Sequence, residues 1–205
     1  MRPPTGSSRY SEDWYGQQLT EQAFSDIEFV DLDLTEVRGD GTVFEKCTFR
    51  RAKFNASVFT DSAFTNCTFI GCNFFDALLE RCKFVGSVFE LCSFDILKVK
   101  GGNWSFVGLP GAKLGSASFQ NVRMVEADLR GAVCAGGVFR EVDFGAAELS
   151  RADFTEADLR GSILNSLNPS ETEIRGAIVD LPQAVVLAGN LGLDIRDERD
   201  FPAAR

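Results

Sequence analysis

The chain contains no histidine. The commonest general base and the commonest metal-binding side chain are therefore missing. Six cysteines are present, but no Cys-x-x-Cys, so no zinc-ligand spacing remains either. No stretch approaches the ~20 apolar residues of a membrane-spanning helix. The N-terminus lacks the apolar core of a secretory signal. A basic excess is also missing: Lys and Arg number 21 against 30 Asp and Glu, a formal charge of -9. The acids are not confined to a tail. Residues 1–100 hold 15 acids and 11 bases, and residues 101–205 hold 15 and 10. Direct nucleic-acid binding needs a basic face and is disfavoured. There is no Gly-x-Ser-x-Gly, phosphate-binding loop or dinucleotide fingerprint. These absences point to a cytoplasmic protein that is not an enzyme, holds no cofactor or metal and does not contact a membrane.

What is present is a period of five. The register runs through Leu19, Phe24, Phe29 and Leu34 to Phe44, Phe49, Phe54, Phe59, Phe64, Phe69, Phe74, Leu79, Phe84, Phe89 and Phe94. It continues through Trp104, Leu109, Leu114, Phe119, Met124 and Leu129 as far as Val179. Of its 33 positions only Gly39 and Pro169 are not apolar, in a chain that is 44% hydrophobic. Chance would fill about half as many. Sixteen of the 19 Phe residues lie in this register. Five fits neither the 3.6-residue helix nor the two-residue strand, so the chain must turn once per repeat. Two residues before each large apolar residue stands a small one, such as Cys47, Ala52, Ser57 or Ala127. On extended backbone the two point the same way, which implies a narrow shaft in which the small residue makes room for a neighbouring ring. Glycine recurs two after the large residue, as at Gly131 and Gly161, where a corner of positive φ suits it.

Ala-Asp-Leu-Arg-Gly at 127–131 and again at 157–161, with Ala-Asp-Phe-Thr-Glu at 152–156, resembles the pentapeptide-repeat family. The resemblance covers nearly all of Leu19 to Val179. It implies an all-β solenoid, a right-handed quadrilateral β-helix with four pentapeptides per coil and about eight coils. Residues twenty apart would stack, Phe24 on Phe44 and Phe64, and Phe29 on Phe49 and Phe69. The division that follows is a flexible tail or cap over residues 1–18, the β-helix over 19–180, and a C-terminal helix with a polar tail over 181–205. Trp14 and Tyr15 fold back as a cap or form a loosely packed extension. Gly39 marks a thin spot or local bend in the shaft, or else an offset between two parts of it.

Cys47, Cys67, Cys72, Cys82 and Cys92 take small inward positions and Cys134 a large one. Twenty-residue stacking would bring Cys47 to Cys67 and Cys72 to Cys92 at about 4.8 Å. That separation permits a disulfide. Buried free thiols remain the expectation for a cytosolic chain. Between Leu97 and Ser118 the pattern weakens without any shift of phase.

Asp180 suits a helix N-cap and Pro182 a first turn, and Gly189 or Gly192 can end the helix. Leu181, Val185, Ala188 and Leu191 have helical spacing, and Leu193 adds apolar surface beyond them. So short a helix cannot bury all of this on one coil, and a two-fold homodimer is the simplest solution. The ending Gln183-Ala184-Val185-Val186-Leu187, with Gly-Leu just beyond, is similar to the C-terminal segment of the gyrase-protecting members of the family, the Qnr, MfpA and albicidin-resistance type. The resemblance implies an acidic rod, roughly 40 Å per protomer and about 80 Å as a dimer. Such a rod mimics DNA and protects DNA gyrase from quinolones or peptide inhibitors. The uninterrupted phase is more like the MfpA type than the looped Qnr type. In that reading the contacting acids are Glu126, Asp128, Glu141, Asp143, Glu148, Asp153, Glu156 and Asp158, near the dimer centre. The alternative is an interaction rod or scaffold with a different protein partner.

Overall fold

A computed structural model describes residues 9–10 and 13–196. It is a parallel β-solenoid closed at one end by a single short helix, α1 (Leu181–Asn190). The strands are mostly three residues long and centred on the large apolar residue of each repeat, as in Val43–Glu45, Thr48–Arg50 and Val58–Thr60. Among the described residues all pairings are parallel, and each step is twenty residues except the first, Arg9 to Glu28, at nineteen: Phe24 pairs with Phe44, Phe44 with Phe64, and Phe49 with Phe69. One face carries seven such strands, from Gln18–Thr20 to Val138–Arg140, and continues through bridges to Asp158 and Ile178. The fourth face has only isolated bridges, running from Asp13 through Asp33, Lys53 and Asn73 to Ser93 and resuming at Lys113.

Corners are made two residues after each large one. Twenty non-glycine residues there adopt positive φ, between 49° and 61°. The sequence pattern assigns this place to glycine, and several glycines do occupy it, Gly131 and Gly161 among them. Most of the other occupants are Asp, Glu, Asn, Lys or Arg. Asn and Asp tolerate the left-handed region best among side-chain-bearing residues. The inter-coil ladders over-determine the conformation of the rest.

The shaft is filled as the period implies. Phe44, Phe49, Phe54, Phe59, Phe64, Phe69, Phe74, Phe84, Phe89 and Phe94 are all buried. Their rings stack coil on coil, with centroids 4.8 Å apart for Phe44 and Phe64 and 4.7 Å for Phe64 and Phe84. This matches the spacing of neighbouring strands, so one geometry satisfies backbone and rings together. Each buried Phe contributes about 1.5–3 kcal/mol of burial. The ladder starts earlier than Leu19. Trp14 lies buried in the same register, its ring 5.3 Å from Phe24, and its backbone N–H donates to Asp33 O at 2.9 Å. Tyr15 beside it is exposed. Residues 1–8 of the expected tail lie outside the described residues, as do 11–12 and 197–205.

Gly39 causes neither a bend nor an offset. Arg38–Asp40 is an ordinary strand between the strands of Leu19 and Phe59. The ring of Phe59 has moved into the missing side chain's space, so a Cβ at Gly39 would overlap its Cδ1 and Cε1.

The small inward positions do more than make room. Where they carry a hydroxyl or thiol, it mostly donates to the carbonyl of the large residue 23 before it, in the preceding coil, although Ser57 Oγ donates to Phe54 O and Ser62 Oγ to Thr60 O within their own coil. Thr42 Oγ1 reaches Leu19 O at 2.7 Å, Ser87 Oγ reaches Phe64 O at 2.7 Å, and Cys72 Sγ reaches Phe49 O at 3.3 Å. All six cysteines are free thiols, and Cys92 alone is partly exposed. Cys67 and Cys92 are pushed above the ordinary thiol range, first by holding their protons toward the stacked sulfurs of Cys47 and Cys72 and then by burial. Burial raises Cys82 to about 11.

Candidate functional site

Two features bear on function: the end of the rod formed by α1, and the acids on its sides. The helix starts as its sequence predicts. Asp180 is the N-cap, its Oδ1 accepting from Gln183 N at 3.0 Å while Gln183 Oε1 accepts from Asp180 N at 2.8 Å. Asp180 Oδ2 also accepts from Gly161 N at 3.0 Å, which ties the cap to the last coils. The helix ends at Gly192, whose φ is 88°. Leu193 N donates to Ala188 O at 3.1 Å and Gly192 N to Gly189 O at 2.8 Å, a Schellman closure.

The face that α1 turns to the rod is largely polar. Gln183 is buried and its Nε2 donates to Leu159 O at 2.6 Å and Ser162 O at 2.7 Å. Asn190 Nδ2 donates to Leu167 O at 2.8 Å and to Leu164 O at 3.3 Å. These two amides cap carbonyls of the final coils that no further coil would reach. Leu187 supplies the buried apolar contact between them. The expected dimer residues therefore point elsewhere. Leu181 is 79% exposed, Leu193 62%, Leu191 57% and Val185 46%, while Ala188 is half-buried. Ile195 is also exposed and joins this surface.

The eight candidate acids divide by chemistry. Asp128, Asp143, Asp153 and Asp158 sit just before the large inward residue, and each folds back on the backbone two residues ahead. Asp143 Oδ1 accepts from Gly145 N at 3.0 Å and Asp153 Oδ1 from Thr155 N at 2.9 Å. Asp128 and Asp158 accept in the same way from Arg130 and Arg160, and both are further clamped by the guanidinium of that arginine. The arginines hold both carboxyls below the usual carboxylate range. Glu126, Glu141, Glu148 and Glu156 are exposed, and their side chains make no hydrogen bond or ion pair among the described residues. Only Asp128 and Glu148 are brought side by side, by a parallel bridge. The others are spread over different faces and corners, so the structure gathers no single acidic cluster. Sequence reasoning could have separated these groups, because a short Asp side chain just before the large residue suits a local turn.

Among the described residues no three His, Cys, Asp or Glu side chains converge as a metal site. Among them, too, no helix is long and apolar enough to cross a membrane. Two clefts open on the sides of the rod. One, of about 310 Å³, lies between residues 146–150 and the turn at Ser166, Asn168, Glu171 and Thr172. The other, of about 490 Å³, lies between residues 91–95 and 110–113.

The fold, the five-residue register and the corner geometry are those of the pentapeptide-repeat β-helix. Residues 109–145 and 127–166 match the family model for pentapeptide repeats, in eight copies. Among solved structures, a trypsin-treated variant of QnrB1, described as a plasmid-mediated fluoroquinolone resistance protein, is 19% identical. That match covers 90% of this chain and 97% of that one, with a TM-score of 0.58. Full-length QnrB1 is 18% identical, covering 92% and 100%, at 0.52. HetL from the cyanobacterium Nostoc sp. strain PCC 7120, a pentapeptide-repeat protein involved in heterocyst differentiation regulation, is 16% identical, covering 82% and 84%, at 0.56. At these identities the likeness is one of fold. No curated protein matches the chain in sequence.

Proposed function

We propose that this protein is a non-enzymatic DNA mimic that occupies the DNA-binding groove of DNA gyrase and protects the enzyme from quinolones or peptide inhibitors. The observation that carries the proposal is the end of the rod. A helix anchored by Gln183 and Asn190 leaves Leu181, Val185, Leu191, Leu193 and Ile195 exposed on one acidic shaft. Isologous pairing of that surface buries it and doubles the rod. The acids near the C-terminal coils then lie near the centre of the dimer, with Glu126, Glu141, Glu148 and Glu156 free to meet a basic groove. Asp128, Asp143, Asp153 and Asp158 shape the turns that hold them. The fold shared with QnrB1 supports the same reading.

The test is a supercoiling assay with purified gyrase, with and without a quinolone or a peptide inhibitor. The protein is expected to inhibit supercoiling at high concentration and to preserve activity against the drug. Neither effect at any concentration would reject a gyrase partner. Sedimentation tests the rod separately. The wild type should run as a dimer, and Val185→Asp combined with Leu191→Asp should run as a monomer. A monomeric wild type would exclude the long mimic. A rod that docks a different partner is the second reading, favoured by a middle stretch that breaks the acidic surface.

A further inference from the structure

At the start of the stretch where the sequence pattern weakens, Leu97 to Ser118, and in the coil just before it, the coils part on one face between 91–96 and 110–116. Elsewhere on this face each coil bonds to the next: Phe54 N donates to Asn73 O at 2.7 Å, Phe74 N to Ser93 O at 2.9 Å and Leu114 N to Val133 O at 2.7 Å. Among the described residues no backbone hydrogen bond joins 91–96 to 110–116. Ile96 N–H turns to Ser116 Oγ at 3.3 Å instead. The N–H groups of Leu91, Phe94 and Lys113 have no partner among the described residues. The ladders on either side stay closed, through Phe89 N to Gly108 O and Ser118 N to Leu97 O, both at 2.9 Å. The opening is the cleft of about 490 Å³, with Cys92, Phe94, Ala112 and Lys113 in its walls and Asp95 at the end nearer Ile96.

Its rim is built at a cost. Of the twenty non-glycine residues with positive φ, only Leu91, Ile96 and Phe106 are large and apolar. A β-branched residue such as Ile96 is a true outlier in that region. Glycine takes the equivalent corner one coil either side of Leu91, at Gly71 and Gly111. Leu91 is nonetheless 93% exposed. Strained backbone and an exposed apolar side chain thus coincide beside unpaired backbone. The charge also changes here. Residues 96–125 hold Lys98, Lys100, Lys113 and Arg123, while all 30 acids of the chain lie outside that stretch.

We infer that this opened face is a docking site for an extended, acidic segment of a partner protein. The parted coils present freed N–H and C=O groups like those of a sheet edge, which an added strand can pair. Leu91 and Ile96 offer apolar contact at the two corners, and Lys113 on the wall selects carboxylates. The surface belongs to one protomer and is independent of any gyrase interaction.

The test uses the full chain, amide-resolved hydrogen exchange and NMR titration with a capped Glu-Leu-Glu-Leu-Glu peptide. The amides of Leu91, Phe94 and Lys113 should exchange faster in the free protein than those of Phe54, Phe74 and Leu114. The peptide should shift and slow them, and the Lys-Leu-Lys-Leu-Lys counterpart should not. Lys113→Glu should weaken binding by about tenfold. Leu91→Gly, which relieves the corner and so keeps the fold, should weaken it comparably. Equal protection of all six amides would overturn the proposal. So would no shift at millimolar peptide, equal response to both peptides, or the same shifts on concentrating the protein alone, which would mean that a second copy occupies the face.

Discussion

Gly39 provides a test in which pattern and structure predict opposite signs. It is the single glycine in the apolar register, and its φ is ordinary for any residue. Filling it with Leu restores the pattern. Replacing glycine where conformation allows also stabilises by about 0.4–1 kcal/mol through the unfolded chain. The structure reverses the expectation. The space is already held by Phe59, whose Cγ would lie 3.2 Å from a Cβ at Gly39 and whose Cδ1 and Cε1 would overlap it. Phe59 is fully buried, with Phe54 at 6.2 Å and Phe64 at 5.2 Å between centroids, so the ring has no free direction to retreat. Overpacking of this kind costs about 1–3 kcal/mol. Gly39→Leu should therefore lower the melting temperature by roughly 2–12 °C, at about 2–4 °C per kcal/mol for a chain of this size. Phe59→Leu removes the ring and should cancel most of that penalty. The two substitutions would then be strongly non-additive in a double-mutant cycle. Thermal unfolding followed by circular dichroism reads both. A Gly39→Leu protein that melts higher than the wild type would refute the packing argument.

Three further outcomes follow from individual contacts. Ser87 Oγ donates to Phe64 O at 2.7 Å and accepts from Cys67 N at 2.8 Å. Ser87→Ala should cost about 1–3 kcal/mol in denaturant unfolding by orphaning both groups, whereas Ser87→Cys, the residue used at equivalent positions, should cost far less. Gln183→Leu leaves the Ser162 carbonyl unpaired and strips Leu159 O of one of its two donors, and should release α1, seen as cleavage within the helix in limited proteolysis while the shaft stays intact. The Arg160 guanidinium and the Arg160 N–H lower the pKa of Asp158, and Arg130 does the same for Asp128. A depressed folded-state value stabilises above the unfolded value of about 4, and this is lost as pH falls through the folded value. Asp158→Asn should therefore lower the neutral plateau of a stability–pH curve slightly and flatten its acid limb, the two proteins converging well below about pH 4.

The shaft was legible because its cause is local and repeated. A large apolar residue at every fifth position sets the strand centres, and Phe44, Phe64 and Phe84 stack as that spacing requires. The helix start was legible from Asp180, Pro182 and Gln183 alone. What the pattern concealed depends on neighbours one coil away. The corners carry Glu21, Asp61 or Arg81 where glycine is expected, because the ladders impose the conformation. The hydroxyls of Thr42 and Ser87 pass for small residues until the coil before them is in place. Gly39 gives no sign that Phe59 has taken its room. The exposed apolar side of α1 followed from composition, but the polar face that fixes it, through Gln183 and Asn190, did not. The opening near Phe94 left no trace in the phase, since coils can part on one face without losing a residue. For the acids, position within the repeat carried more information than sequence proximity to the helix.

The inter-coil hydrogen bonds all run along the axis of the shaft, and each coil is held only by the coils beside it. Under tension between its ends the protein therefore behaves as a zip rather than a lap joint. Load falls on one ring of bonds at a time, and each ring that yields releases about twenty residues, roughly 70 Å of extended chain. A stretched rod should lengthen in near-equal steps at low force. The coil between Phe94 and Leu114, already unfastened on one side, is the place where a pull from within the shaft meets least resistance.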